Sequence, residues 1–435
     1  MEFSKDFLWG AATSAPQVEG AYLEGGRTES IWDVAPAEKI KGGSNCHDTC
    51  DSYHRYKEDV AIMKRLGFKS YRFSLSWPRI VPEEGKVNPE GIAYYRSLIE
   101  ELLRNGIEPL VTIYHWDLPL WAQKKGGWLS REIVSLFASY TEAVVSSLSD
   151  LVTYWIIMNE PQCFIMNGHM AGAHAPFMKR YLALDKLTAN CLLAFHESAE
   201  IIRKKAKKTP KIGISMAAGC YLPESESGRD IEAARYKSFY HKAGTMSNRW
   251  WGDPLILGKR VRAYLVYATP RRYLSKIKTK LDFIGINSYS PFEESYVPNN
   301  EPSEHTNSLG WKIDGRVLYW TLRFFYERYH LPLMVTENGL CLDGKDEVLD
   351  GEKVHDPRRI AFLKDYLRNL KRAVEDGIPV LGYQHWSLLD NFEWAEGYGP
   401  HFGLVKVDRE TKNRTVKDSA YFYSEVIKSN GGNIE

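Results

Sequence analysis

Two periodicities alternate along this chain. Short apolar or β-branched runs are each followed by longer stretches in which apolar residues recur three and four positions apart. The short runs predict strands at Phe7 to Thr13, Lys69 to Ser74, Glu108 to Tyr114, Thr153 to Met158, Lys211 to Met216, Phe283 to Asn287, Leu333 to Thr336 and Val380 to Gln384. The amphipathic stretches predict helices over Ser52 to Leu66, Gly91 to Asn105, Arg131 to Leu148, Lys186 to Lys205 and Pro357 to Asp376. Three of them run into a stop signal, at Leu66-Gly67, Asn105-Gly106 and Asp376-Gly377.

Repeated strand-to-helix units favour the right-handed parallel crossover, and eight of them can close on themselves with no unpaired edge. The pattern therefore predicts an α/β fold, a (β/α)8 TIM barrel. A doubly wound open sheet is the rival. It usually carries a glycine-rich phosphate turn after its first strand, and Gly20 to Gly26 reads Gly-Ala-Tyr-Leu-Glu-Gly-Gly, which fits neither the dinucleotide nor the P-loop spacing. No Pro/Ser-rich linker or low-complexity tract interrupts the alternation, so residues 1–435 read as a single catalytic domain, a size that barrels with insertions reach. Polar segments from Glu24 to Cys50, Pro291 to Trp311 and Leu342 to His355 follow the first, sixth and seventh strands. In a barrel they would elaborate the C-terminal face, where active sites sit.

Charge narrows the partners. Lys and Arg number 57 against 55 Asp and Glu, a net of +2, which leaves little field for nucleic acid or an anionic membrane. No apolar run is long enough to span a bilayer, and Met1 to Phe7 lacks the features of a secretory signal, so a cytoplasmic protein is expected. The six cysteines are scattered as reduced thiols are, with burial their default role. Cys46-His47-Asp48-x-Cys50 is one cluster without the second pair that a structural zinc site needs. His196-Glu197-Ser198-Ala199-Glu200 has a glutamate where a zinc-hydrolase helix needs its second histidine. The basic run Arg203-Lys204-Lys205 with Lys207, Lys208 and Lys211 suits a solvated helix end. No Gly-x-Ser-x-Gly elbow is present. The expectation is an enzyme with no metal and no cofactor; the sequence leaves a homo-oligomer open.

Among so many acidic residues, position must select the candidates. The fourth strand runs into Asn159-Glu160-Pro161 and the seventh into Thr336-Glu337-Asn338-Gly339, so both carboxylates would emerge on one barrel face, across its mouth from each other. Glycosidic cleavage needs such a pair, one group to protonate the departing oxygen and one to attack or stabilise the anomeric carbon from the other side. Spacing alone fits ordinary salt-bridged strand-end glutamates equally well. The neighbours favour the chemistry: Gln17, His115, Trp116, Asn159, Asn287, Tyr289, Trp386, Glu393 and Trp394 lie near strand ends and offer amides, imidazole and flat rings suited to sugar hydroxyls and C–H faces. Trp9 and Trp155 read as core.

The order of motifs resembles glycoside hydrolase family 1, the β-glucosidase and β-galactosidase family. The blocks are Phe7-Leu8-Trp9-Gly10-Ala11-Ala12-Thr13 with Gln17-Val18-Glu19-Gly20, Tyr71-Arg72-Phe73-Ser74, Tyr114-His115-Trp116-Asp117-Leu118-Pro119, Asn159-Glu160-Pro161, Thr336-Glu337-Asn338-Gly339, and Trp386 through Trp394. The resemblance implies a retaining mechanism with Glu160 as acid/base and Glu337 as nucleophile. It further implies Arg72 and Tyr289 tuning Glu337, Asn159 meeting the 2-hydroxyl, and Gln17, His115, Trp116, Trp386, Glu393 and Trp394 holding the glycone. The expected substrate is a small β-glycoside or oligosaccharide with a terminal unphosphorylated glucosyl, or also galactosyl or fucosyl, residue. Transglycosylation through the same intermediate, and a silent sugar-binding scaffold, are the alternatives. Pro16, Ile157-Met158 and Ser288 depart from the family's usual pattern, which puts the sugar preference in doubt and leaves each catalytic group in place.

Overall fold

The computed structural model describes residues 2–241, 244–263, 266–293 and 305–434. Eight parallel strands form a closed barrel: β1 (Leu8–Ala12), β2 (Ser70–Ser74), β3 (Glu108–Tyr114), β4 (Tyr154–Asn159), β5 (Lys211–Ala217), β6 (Phe283–Asn287), β7 (Leu333–Asn338) and β8 (Val380–Trp386). Each pairs with its neighbours in chain order, and β8 closes on β1 in the register Gly10 with Gln384 and Ala12 with Trp386. One main helix follows each strand: α1 (Ser52–Leu66), α2 (Pro89–Arg104), α3 (Ile133–Leu148), α4 (Leu184–Lys205), α5 (Gly228–Tyr240), α6 (Arg316–Tyr329), α7 (Pro357–Glu375) and α8 (Asp418–Lys428). The glycine stops behave as their chemistry requires: Gly67, Gly106 and Gly377 all hold positive φ just past α1, α2 and α7. At the start of α2, Asn88 accepts the Glu90 amide at 3.2 Å and Pro89 occupies the first turn.

The barrel interior is layered, and the layering decides where chemistry can occur. Leu110, Ile156, Phe283 and Met334 pack together as an apolar layer, flanked by Leu8, Tyr154 and Leu381. Gly213 makes room for it, since a Cβ there would run into the Phe283 ring. Farther along the same strands the residues turn polar: Gln384 donates to Ser70 at 2.8 Å, Arg72 to Thr112 at 3.1 Å, and Thr336 to Asn287 at 2.7 Å. A dry plug is thus followed, toward the strand C-termini, by a lattice of polar side chains joined by hydrogen bonds.

Where the lattice ends, the strand registers slip, between Ile156 and Asn159 against β5, between Ile286 and Asn287 against β7, and between Tyr383 and His385 against β7. Such irregularities interrupt the period-two alternation and re-aim side chains. Here they fall beside Asn159, Asn287 and Glu337, just beneath the mouth.

The predicted strands are all present, with β4, β5, β7 and β8 each running one or two residues farther toward the mouth than the apolar pattern indicates. Residues 294–304 of the predicted Pro291 to Trp311 loop lie outside the described residues. Cys46 donates to Asp33 and Cys50 to the Asp390 carbonyl, so the two thiols of the Cys46-to-Cys50 cluster serve different loops. Among the described residues no helix is long and apolar enough to cross a membrane.

Candidate active site

Glu160 closes β4. Its backbone is left-handed, with φ 43° and ψ 67°, and Pro161 starts the short helix Pro161–Ile165 immediately after. Trp116 after β3 and Trp394 after β8 also hold positive φ, at 76° and 54°. Non-glycine residues rarely sit there, and when they do the surrounding packing must hold them. Here that packing is aromatic: the Trp116 and Trp394 ring centroids are 4.7 Å apart, and Trp32 lies 4.6 Å from Trp394.

Glu337 lies within β7 and is almost wholly buried. Arg72 on β2 donates to its Oε1 at 2.6 Å, and the Tyr289 hydroxyl donates to its Oε2 at 2.7 Å. Arg72 is itself inaccessible and also donates to the Thr336 carbonyl at 2.9 Å and to Asn159 Oδ1 at 2.6 Å. A guanidinium can only donate, so this last contact orients the Asn159 amide. Asn159 Nδ2 then faces His115 Nε2 at 2.9 Å, which leaves the His115 Nδ1 as the protonated, unpartnered nitrogen of a neutral ring. Burial, reinforced by Arg72, holds His115 well below its ordinary pKa and keeps it neutral.

Asn287, at the end of β6, joins the two acids. Its Nδ2 donates to Glu160 Oε1 at 2.9 Å and to Asn159 Oδ1 at 3.1 Å, while its Oδ1 accepts from Ser215 and Thr336. A continuous chain therefore runs Glu337, Arg72, Asn159, Asn287, Glu160. The two ends differ in what they face. Glu337 has a cation and a phenol; Glu160 has an amide and the Cys163 thiol.

Burial, then the charge of Glu337, pushes Glu160 up to about 7. Burial raises Glu337 as well, against the opposing pull of Arg72 and Tyr289. Glu393 is pushed up to about 8, first by burial and then by Glu337 and Glu160. Near neutral pH the buried Glu393 therefore holds its proton for most of the time.

These groups share a cavity of about 510 Å³. Ten of the twelve predicted residues line it: Glu160, Glu337, Asn159, Tyr289, His115, Trp116, Asn287, Trp386, Glu393 and Trp394. Arg72 and Gln17 stand behind the wall. Gln17 is fully buried and donates to the Phe392 carbonyl at 2.8 Å, to Asn391 Oδ1 at 3.1 Å and to Glu393 Oε2 at 3.4 Å. It braces Glu393.

Cys163, Met246, Leu309, Trp311 and Glu396 complete much of the outer wall and were not singled out from the sequence. Only Cys163 carried a signal, since it falls three residues after Glu160 in a helical turn and so shares its face. Four carboxyl groups line the cavity and, among its described lining residues, no Lys or Arg does.

The chain is similar to known proteins over nearly its whole length. The family model described as Glycosyl hydrolase family 1 matches residues 1–432. A 1,4-beta-D-glucan glucohydrolase of Thermotoga neapolitana is 41% identical over 99% of both chains, and beta-glucosidase 42 of Arabidopsis thaliana is 36% identical over 99% of this chain and 95% of its own. The structure of a beta-glucosidase from Thermotoga maritima in complex with deoxynojirimycin superposes with a TM-score of 0.88 at 39% identity, covering 99% of both chains. On the family match, the relatives and the shared barrel together, this chain belongs to glycosyl hydrolase family 1 and is a glycoside hydrolase.

Proposed function

We propose that this protein is a retaining β-glucosidase in which Glu337 attacks the anomeric carbon and Glu160 serves as acid and then base. The observation that carries the reading is the asymmetry of the buried pair: Arg72 and Tyr289 hold the Glu337 carboxylate, while Glu160, raised to about 7, keeps a proton to give. In the first step Glu337 displaces the aglycone as Glu160 protonates the departing oxygen. The ester that forms carries no charge, so the repulsion that helped to raise Glu160 disappears and its pKa falls. Glu160 then takes a proton from water, which releases the sugar with its configuration retained.

Asn159 and His115 line the cavity where they can meet glycone hydroxyls, and Trp386 offers a flat face to the ring. Among the described lining residues a glycone bearing phosphate finds four carboxyl groups and no Lys or Arg to pair with, which supports an unphosphorylated glucosyl, galactosyl or fucosyl residue. The beta-glucosidase names of the relatives support the gluco preference. The function belongs to residues 1–435 as one catalytic domain, because β1 and β8 close the same barrel. Six free thiols support a reducing, cytoplasmic setting.

The direct test is a 2-deoxy-2-fluoro β-glucoside with a good leaving group. The fluorine slows release of the ester more than its formation, so the protein should gain one fluoroglucosyl mass, located by peptide mapping at Glu337. An unmodified protein, or label elsewhere, rejects the assignment. The pH profile gives a second check. Glu160 must be protonated for the first step, so kcat/KM should fall as pH rises through about 7. The limb should persist in Glu393→Gln, which removes the other carboxyl titrating nearby. A profile flat from about pH 6 to pH 8 contradicts the role given to Glu160.

A further inference from the structure

Behind β8, away from the cavity, Glu347, Asp390 and His401 present ligand atoms that all lie within 4.8 Å of one another, the spacing of a cation site. The cation is a side chain. Lys417, at the residue preceding α8 and wholly inaccessible, donates from Nζ to Glu347 Oε1 and to Asp390 Oδ1, the latter at 2.9 Å. His401 Nδ1 contacts Glu347 Oε2 at 2.9 Å, and Arg359 reaches Glu347 at 3.4 Å.

Asp390 begins the arm that carries the glycone-facing residues. Its amide donates to the Val405 carbonyl at 2.9 Å, and its Oδ1 also accepts from Gly403 N at 2.8 Å. The next residue, Asn391, is tied to Gln17, which also bonds the Phe392 carbonyl and the Glu393 carboxyl. Only Asn391 and Phe392 therefore separate Asp390 of the buried ion pair from Glu393, the group that meets the sugar.

We propose that Lys417 is a positioning residue for substrate recognition: its ammonium group, clamped between Glu347 and Asp390, fixes the Asp390 to Trp394 arm and so sets Glu393, braced from behind by Gln17, against the far side of the glycone. The inference rests on the β-glucosidase reading above. A buried carboxylate stripped of its cation takes up a proton or rehydrates, and either change loosens the Asp390 end of the arm, with Glu393 following. Glu347 keeps Arg359 and His401 in that event, so the rest of the network retains its partners. The carboxyl-bearing end of the arm faces the hydroxyls remote from the cleaved bond, of which the C4 hydroxyl lies directly across the ring. Asn159, which meets the C2 side, hangs from β4 and Arg72 and does not depend on the arm.

The test compares aryl β-glucoside with its 4-deoxy and 2-deoxy analogues in the wild-type protein, Lys417→Met and Asp390→Asn. Active sites are counted from the burst of aryl alcohol released by the 2-fluoro reagent. In both variants the preference for glucoside over its 4-deoxy analogue, expressed as a ratio of kcat/KM, should fall about tenfold, while the preference over the 2-deoxy analogue stays as in wild type. Asp390→Asn keeps the oxygen that Gly403 donates to and decides the matter alone if Lys417→Met does not fold. Unchanged 4-deoxy ratios, or equal losses at both positions, overturn the proposal. A wild-type protein that fails to turn over the glucoside at all overturns the β-glucosidase reading instead.

Discussion

Glu337→Ala is expected to abolish turnover of an aryl β-glucoside, lowering kcat by about five orders of magnitude, because no other group can form the glycosyl ester. The carboxylate is engaged on both oxygens, by Arg72 at 2.6 Å and Tyr289 at 2.7 Å, so its position and charge are fixed before substrate arrives. Alanine leaves the fold its other supports, since Arg72 keeps Thr112, the Thr336 carbonyl and Asn159. Steady-state kinetics beside a thermal melt separate chemistry from folding. Residual activity above about 1% of wild type, free of contaminating enzyme, would remove Glu337 from the nucleophile's role.

Glu160→Ala is expected to show a loss that depends on the leaving group. Glycosides whose aglycone is a poor leaving group need the proton and should lose about three orders of magnitude in kcat/KM; a dinitrophenyl glucoside, which departs unaided, should lose far less. Its intermediate would then accumulate for want of a base. Azide should restore turnover by entering the space left by the carboxyl group, and the product should be the β-glucosyl azide. Equal losses for good and poor leaving groups, with no response to azide, would contradict the acid/base role.

Much of this was legible in the sequence because strands that line a barrel are short, apolar and bounded. The positions of Glu160 and Glu337 followed from where those runs stop. The structure moves the boundary outward: Glu337 and Asn338 belong to β7, where Arg72, Tyr289 and the Ser288 carbonyl partner their side chains, and His385 and Trp386 belong to β8, so both strands continue past the apolar run. Helix α6 escaped notice for a different reason. Val317 through Leu322, Phe324 and Phe325 are all buried, and this aromatic-rich run follows the long polar loop after β6 with no side-chain cap from Gly315 at its start. Helix α5 buries only Ala234, Ser238 and Phe239 and shows almost no apolar stripe.

Roles were harder to read than places. Asn287 was expected to bind substrate and in the structure bonds Glu160; Gln17 was expected at the sugar and braces Glu393 from behind. Both are properties of which neighbour lies opposite, and the register slips at the strand ends set that. The Lys417 cluster gathers residues from four separate segments, and no local spacing announces it.

The seam between β1 and β8 ties catalysis to the order in which the polypeptide is made. Gln17 follows the first strand and Glu393 the last, Gly10 pairs with Gln384, and Tyr423 of α8 donates to the Gly10 carbonyl at 2.9 Å. A nascent chain on the ribosome therefore carries an open strand edge until nearly all of it has emerged, and it must be kept from pairing with other chains for that long. A product that terminates before Val380 leaves one edge of β1 unpaired and lacks the arm bearing Glu393, so a late premature stop yields an inert, adhesive fragment and not a weakened enzyme.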